Sequence, residues 1–349
     1  MIDWDRSYTC DLDVYEVNKD TWENMYRVPG SYSVSVSTDG TDDVPLLHTA
    51  TFTIDRGFPS DYEVGGWYRA MMKVHQNGLT EEHAITTQLV EIDKEDIKTS
   101  RVELGFSGKS SLQPAADRKL RVGEFVPKEY DGAQWAADKL RECTPAPVHI
   151  VGDGFRLQDY YVFATGESYL SAVWSILGYG DWCIQLDGRG EIYIKPKPKE
   201  VKYTFFRDKY GLLDPSRSKD YTWSGVPNRY IARMDGKEYV AENHNPRSPL
   251  SYERRGRWVE EVEENPTLLS GESAEYYVRR KLAEVSSLLR TYTYKREFIG
   301  DVQPYDLLEF SLPKMNGTYR VLSQTLTIGK GVTVSEKVGE VVEEYEIDV

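Results

Sequence analysis

Residues 168–195 read SYLSAVWSILGYGDWCIQLDGRGEIYIK, and this stretch divides the chain. From Ser168 to Leu177, the side chains of Tyr169, Leu170, Val173, Trp174, Ile176 and Leu177 form a broad apolar side at helical spacing, and Gly178 and Gly180 supply a stop. Trp182-Cys183-Ile184-Gln185-Leu186, the turn Asp187-Gly188-Arg189-Gly190 and Glu191-Ile192-Tyr193-Ile194-Lys195 then read as a hairpin, because glycines allow positive φ in the connection. A helix followed by a strand pair is an α+β unit. Asp131–Arg141 belongs with it: Trp135, Ala136 and Leu140 fall near one helical face, with Asp131 placed to cap. Pro196-Lys197-Pro198-Lys199 cannot extend a paired central strand and marks a boundary.

On either side the pattern changes to strands. Residues 8–17 and 32–36 alternate at period two, and Thr38-Asp39-Gly40-Thr41-Asp42-Asp43 reads as a loop before a strand over Leu47–Asp55. Further strands are expected at Trp67–His75, Ile85–Ile92 and Ser100–Phe106, so a barrel or sandwich closes near residue 115. The last third has expected strands at Val226–Met234, Arg257–Val262, Tyr292–Phe298, Leu307–Leu312 and Thr318–Ile328, with Lys314-Met315-Asn316-Gly317 as a hairpin turn. Between them, Ser273–Leu289 carries apolar residues at three- and four-residue spacing with only Lys281 polar in the stripe, an amphipathic helix laid on a sheet. Three domains follow from this reading, at 1–115, 116–200 and 201–349. Glu340, Glu343, Glu344, Glu346 and Asp348 crowd the end of the chain, as a solvated tail or as an edge strand facing a cavity.

Composition removes several function classes. With 349 residues the chain can bury more than one core, and 43 Lys plus Arg against 57 Asp plus Glu give a formal charge of −14 that repels phosphate and disfavours sequence-independent nucleic-acid binding. Cys10, Cys143 and Cys183 are widely spaced and form no C-x-x-C, so neither a disulfide framework nor a zinc site is indicated, in keeping with synthesis in a reducing compartment. No apolar run approaches the roughly eighteen residues of a membrane span, and Met1–Asp5 has neither the basic start nor the apolar run of a signal peptide. The expectation is a soluble chain that is not exported by that route and not stably inserted in a membrane.

The search for chemistry ends without a site. Gly105-Phe106-Ser107-Gly108-Lys109-Ser110 ends like a phosphate loop, but Glu103 stands where the first glycine is required. Gly152-Asp153-Gly154, Gly178-Tyr179-Gly180 and Gly188-Arg189-Gly190 lack the third glycine of a dinucleotide fingerprint and read as turns. His48, His75, His83, His149 and His244 show no paired spacing for a metal, and His75 and His83 flank the loop Asn77-Gly78. Pairing Cys183 with His244 as nucleophile and base places a thiolate on a buried strand, where it is costly. The run Glu260, Glu261, Glu263, Glu264 reads as a solvated strand edge rather than one of the carboxylate pairs about 5–10 Å apart that a glycosidase needs. Asn316-Gly317-Thr318 fits the glycosylation pattern but reads as a turn. Tyrosine and tryptophan are abundant enough to supply a glycan-stacking surface, although most, such as Trp174, read as core. No catalytic, cofactor-binding or metal-binding residue is therefore assigned.

The order of segments nevertheless resembles the tail hub, or baseplate hub, proteins of tailed bacteriophages, a family shared with phage-tail-like particles and distantly related to the type VI secretion spike. Leu47–Asp55 followed by Tyr68-Arg69-Ala70-Met71-Met72 is similar to the family's first barrel, and Glu124-Phe125-Val126-Pro127 with Gln134-Trp135-Ala136-Ala137 to the segment leading out of it. Tyr169–Ile194 is similar to the middle domain. Val226-Pro227-Asn228-Arg229-Tyr230, Pro249-Leu250-Ser251, the helix Ala274–Leu289 running into Thr291-Tyr292-Thr293, Pro304-Tyr305-Asp306 and Tyr319-Arg320-Val321 are similar to the second barrel. One departure is that many relatives have Pro-Gly-Asp where this chain has Pro304-Tyr305-Asp306. The resemblance implies a mainly β fold with an α+β insert, two hub β-barrels flanking a helix–hairpin middle domain. It further implies a non-enzymatic structural protein of the virion tail tip, assembled in the host cytoplasm as a homotrimer. Its implied partners are the tail tube or distal tail protein, the tail tip, spike or fibre protein, and a tape measure protein. In that reading DNA is a passing cargo during ejection, and wall hydrolysis or receptor binding falls to a separate protein; the acid excess in turn predicts that acidic side chains line the annulus interior more densely than its outer face. A carbohydrate-binding or receptor-recognition tail protein is the alternative, and a wall-degrading hydrolase the third reading.

Overall fold

The strands of the first third form one antiparallel run whose register is fixed by alternation. They are β1 (Thr9–Val17), β2 (Asn24–Arg27), β3 (Tyr32–Asp39), β4 (His48–Asp55), β5 (Trp67–Gln76), β6 (Leu79–Ile97) and β7 (Val102–Lys109). The computed structural model describes residues 2–4, 6–28, 32–40, 48–55, 65–97, 102–206, 218–221, 225–286, 288–300, 302–312, 315–329 and 332–341. In β3, Val34 and Val36 are buried while Ser33 and Ser37 are exposed, the period-two pattern of a sheet with one core face. β3 runs on through Thr38 and Asp39, which the sequence reading gave to a loop; pairing with β4 and with a strand from the far end of the chain holds them extended. Residues 41–47 of that loop and strand lie outside the described residues.

The middle unit contains α1 (Gln113–Asp117), β8 (Phe125–Val126), α2 (Gly132–Arg141), β9 (Val148–Ile150), β10 (Tyr161–Val162), α3 (Tyr169–Tyr179), β11 (Trp182–Leu186) and β12 (Ile192–Pro196). The Asp131 carboxylate accepts from the backbone N–H groups of Ala133 (2.8 Å) and Gln134 (3.1 Å), and Ser168 Oγ accepts from Ser171 N (3.0 Å), so both helices start where a cap residue satisfies otherwise orphaned donors. Gly178 does not stop α3; the helix runs one residue further, and Asp181 takes the left-handed conformation (φ 57°). Leu140, Val173, Ile176 and Leu177 bury against Cys183, Ile184, Ile192 and Ile194. The hairpin β11–β12 pairs in the register Ile184↔Ile194 and gains a parallel third strand, β9.

The last third holds β13 (Val201–Phe206), β14 (Ser218–Tyr221), β15 (Arg229–Met234), β16 (Lys237–Glu242), α4 (Tyr252–Arg255), β17 (Glu260–Glu264), α5 (Ala274–Ser286), β18 (Leu288–Arg296), β19 (Leu307–Leu312), β20 (Met315–Ile328) and β21 (Val332–Val341). Three readings change here. The helix ends at Ser286, and Leu288 pairs with Val341: leucine fits either period, and sheet pairing decides. Asn316 and Gly317 lie inside β20, opposite Ser311 and Phe310, rather than in a turn, and Lys314 lies outside the described residues. β15, β16 and β17 form their own three-stranded sheet, on which α5 lays Tyr277, Val278 and Leu282 against Tyr230, Ala232 and Ala241.

The first and last thirds are joined in one 13-stranded sheet, in the order β14-β18-β21-β20-β3-β4-β7-β6-β5-β1-β2, with β19 on β20 and β13 on β19. The first third curls so that β1 also contacts β3. β20 is the strand that joins the two: its first half pairs with β19, its second half with β3, and most of its length with β21. The fold is thus mainly β with an α+β insert. Glu340 lies in β21, while Glu343, Glu344, Glu346 and Asp348 lie outside the described residues.

Candidate functional site

Among the described residues, three built junctions form where the β regions meet each other and the middle unit. The first is the seam between β3 and β20, in the register Val34↔Ile328, Val36↔Leu326 and Thr38↔Gln324. Inside the seam, Val34, Val36, Leu326, Ile328, Val332 and Val334 are buried. Outside it, Ser35 and Thr327 hydroxyls lie 3.4 Å apart and those of Ser37 and Thr325 3.1 Å apart. Beside the seam, Glu336 accepts from Tyr294, from Gln324 Nε2 (2.9 Å) and, at both carboxylate oxygens, from the Arg296 guanidinium. Neither side chain of the ion pair has any exposed surface.

The second junction docks the turn Asp187-Gly188-Arg189-Gly190 onto β5 and β6. Arg69, buried on β5, donates from Nε to Thr87 Oγ1 (2.9 Å), from Nη1 to Asn24 Oδ1 (3.0 Å) and from Nη2 to the carbonyls of Trp22 and Arg189 (both 3.1 Å). Trp22 Nε1 donates to the same Arg189 carbonyl (2.8 Å), Thr87 Oγ1 to the Gly188 carbonyl (3.2 Å) and Ser111 Oγ to the Gly190 carbonyl (2.7 Å). The turn's carbonyls are thereby satisfied by another part of the chain, as buried acceptors require. Burial lowers the Arg69 pKa, and the nearby Arg189 charge lowers it further, against the pull of Asp187 and Glu191.

The third junction is Pro304-Tyr305-Asp306. The Asp306 carboxylate accepts from Gln185 Nε2 (3.1 Å), Gln303 N (2.9 Å) and Lys202 Nζ (2.9 Å), tying the middle hairpin to β13 and β19. Tyr305 has φ 74°, the left-handed region that a glycine there would occupy freely, so the turn keeps a glycine-type backbone despite the tyrosine. Its ring is buried and lies 6.0 Å from Trp174, which is half-buried at the edge of the middle core. Tyr305→Gly is expected to remove about 1 kcal/mol of backbone strain yet lose a buried aromatic ring, for a net destabilisation of about 2 kcal/mol. Urea denaturation checks it, and a stabilised variant would show that the ring contributes nothing.

The residues weighed for chemistry are not brought together. Cys183 sits in the middle core with its thiol pushed up to about 12 by burial, whereas His244 stands on the surface after β16, 2.8 Å from Glu253 and 3.1 Å from Glu242. Those two carboxylates raise the His244 pKa. Titration of the folded chain with a thiol reagent at pH 8 should therefore find no more than two of the three cysteines, Cys10 and Cys143, and rapid reaction of Cys183 would refute its burial.

The acidic run on β17 is only partly a solvated edge. Glu260 and Glu264 pair with Arg229 (2.7 Å) and Arg233 (2.8 Å), while Glu263 accepts from the hydroxyls of Tyr230 and Tyr277, the latter at 2.6 Å. Desolvation, reinforced by Glu263, pushes both tyrosine pKa values up. His75 bonds Thr80 across the Asn77-Gly78 turn. Gly105–Lys109 lies within β7, so no phosphate loop forms. Among the described residues, no group of three or more His, Cys, Asp or Glu is placed to hold a metal. Among the described residues, no helix is long and apolar enough to cross a membrane. The most exposed of the described tyrosines, Tyr26, Tyr160 and Tyr276, lie on or beside three different elements, and the Trp258 ring is stacked on Tyr252 at 4.6 Å. The three junctions themselves escaped sequence reading because each joins residues from distant parts of the chain.

No family model and no curated protein matches the sequence. Solved structures do match. A tail protein from Neisseria meningitidis MC58 superposes with a TM-score of 0.64 at 14% identity, over 95% of this chain and 96% of that one. The 43 kDa tail protein of prophage MuSo2 from Shewanella oneidensis gives 0.66 at 8% identity, over 95% and 98%. Prophage tail protein gp18 from Listeria monocytogenes EGD-e gives 0.56 at 12% identity, over 94% of each chain. The chain shares its fold with these three proteins over nearly its whole length.

Proposed function

We propose that this chain is a structural hub subunit of a phage-type tail, without enzymatic activity, that assembles as a homotrimer at the distal end of the tail tube. The end-to-end likeness to solved tail proteins carries the reading. The junctions fit it: they join two β regions and a middle unit, with carbonyls, carboxylates and a buried cation used for attachment rather than chemistry. Two related β regions in each of three subunits supply six quasi-equivalent contacts, which adapt a sixfold tube to a threefold tip. We assign the first β region to residues 1–115, the middle domain to 116–200 and the second β region to 201–349. In this reading the tube or distal tail protein binds one side of the ring, the spike or fibre protein the other, and a tape measure protein and then DNA pass through during ejection. The particle is assembled in the host cytoplasm.

Light scattering on the purified chain and electron microscopy of assembled tails test the proposal. A mass of three chains and a ring at the tail tip are expected; a stable monomer with no ring in the tail would overturn it.

A further inference from the structure

The loop between β16 and β17, which includes α4, is basic in an acidic chain. From Asn245 to Trp258 it carries four arginines and one acid, Glu253, against a formal charge of −14 for the whole. Buried polar side chains fix its backbone. Asn228 accepts from Val259 N (2.7 Å) and donates to the carbonyls of Leu250 (2.8 Å) and Arg257 (3.1 Å). Ser248 Oγ accepts from Asn243 Nδ2 (3.0 Å) and Leu250 N (3.2 Å), and Ser251 Oγ donates to the Ser248 carbonyl (3.0 Å). Held in this way, the loop exposes Arg247, Arg254, Arg257 and the ring of Tyr252, which stacks on Trp258. Glu253 is engaged by His244 (2.8 Å). Arg229 and Arg233 on the adjoining sheet are ion-paired to glutamates of β16 and β17, whereas Arg247, Arg254 and Arg257 have no carboxylate partner among the described residues.

We infer that this loop is the seat of the acidic stretch at residues 342–349 of the same chain, whose carboxylates pair with Arg247, Arg254 and Arg257. The charges are complementary: residues 342–349 carry Glu343, Glu344, Glu346 and Asp348 and no lysine or arginine. The stretch also starts close by. Val341, at the end of β21, lies opposite Leu288. Two residues earlier, the Ser286 hydroxyl donates to the Pro227 carbonyl (2.9 Å), and Arg255 Nη1 donates to the neighbouring Val226 carbonyl (2.6 Å). Eight extended residues cover about 26 Å, enough to follow that path to the loop. Exposed ion pairs are individually weak, but a tether this short puts the carboxylates at millimolar effective concentration or above. Tyr345 and Ile347, between the acids, supply apolar surface to meet the Tyr252 ring. A long phosphate backbone is a poorer fit, because the sheet beside the loop sets four glutamates around two arginines.

A nitroxide label on the full chain tests the assignment. It is attached at Val349→Cys after Cys10 and Cys143 are replaced by serine, Cys183 being buried. Its motion is read from the electron resonance line shape of this parent and of two variants built on it. One carries Arg247→Gln, Arg254→Gln and Arg257→Gln. The other carries Glu343→Gln, Glu344→Gln, Glu346→Gln and Asp348→Asn, and leaves the loop untouched, including the bond from Arg254 Nε to the Pro246 carbonyl (2.9 Å). The label should move about tenfold more slowly in the parent than in either variant, the difference between a held segment and a free one. A label as mobile in the parent as in the variants overturns the proposal and leaves the arginines to another anion, a nucleic-acid backbone included. A label held in all three also overturns it, since the segment is then seated without these charges. Recovery of slow motion when the labelled arginine variant is assembled with excess unlabelled wild type would put the segment on a neighbouring copy and overturn its assignment to the same chain.

Discussion

Gly188→Ala lowers the free energy of unfolding by about 3 kcal/mol, at the upper end of what one added methyl group normally costs. A Cβ at position 188 would stand 1.8 Å from the Ala84 carbonyl oxygen and 2.3 Å from its carbon. Those are backbone atoms of β6 and cannot rotate away. Either the turn lifts off β6, losing the donors from Thr87 and Arg69, or β6 bends and loses register with β5. The control is Gly178→Ala, inside α3 with nothing within 4 Å of the new carbon. There alanine should raise stability by up to about 1 kcal/mol, since it is the better helix former. Denaturation followed by tryptophan fluorescence reads both, because Trp22 bonds the Arg189 carbonyl and packs against Trp67 at the junction. Equal effects from the two substitutions would sink the idea that the turn is a docking element. Arg69→Met probes the other side of the same contact, leaving the Trp22 carbonyl without its Arg69 donor, and should cost about 2 kcal/mol or more.

That junction shows where sequence reading stops. The turn 187–190 and the strands either side of it are legible because glycine and alternation are local signals, and the caps Asp131 and Ser168 are legible for the same reason. Which surface the turn meets is settled by Arg69, Thr87 and Trp22, about a hundred residues or more away, and no local pattern announces that. The same limit explains the end of α5. Leu288 continues the helical stripe as well as it starts a strand, and Val341 decides between them. β13, β16 and β21 went unread for a different reason. Val201–Phe206 follows a proline-rich boundary, Lys237–Glu242 carries charges at both ends, and Val332–Val341 interrupts its alternation with Glu336, a charge on the buried face. A buried glutamate is intelligible only once Arg296, Tyr294 and Gln324 are placed around it. The family resemblance came from the order of elements, which survives at identities too low for matching by residues.

Glu336→Leu should be the most damaging single change in the sheet, costing about 4 kcal/mol. It leaves the Arg296 guanidinium fully buried with neutral partners alone, the Glu297 carbonyl (2.8 Å) and the Tyr294 hydroxyl, and removes the acceptor of the Tyr294 hydroxyl and the Gln324 amide. Burial alone lowers the Arg296 pKa, and Glu336 more than offsets this, so the residue stays charged and the loss is that of an uncompensated cation. If this is the origin of the cost, removing the cation as well should recover most of it. The double variant Arg296→Met, Glu336→Leu should regain about 2–3 kcal/mol, and adding Tyr294→Phe a further 1 kcal/mol or so, as each unpaired buried group is eliminated. Chemical denaturation across the series decides: a double variant no better than the single one would mean that shape, not charge, is what Glu336 supplies. The position makes the effect general. Gln324 faces Glu336 on one side and Thr38 on the other, so a disturbance there reaches β21 and β3 at once and loosens the strand that both β regions share.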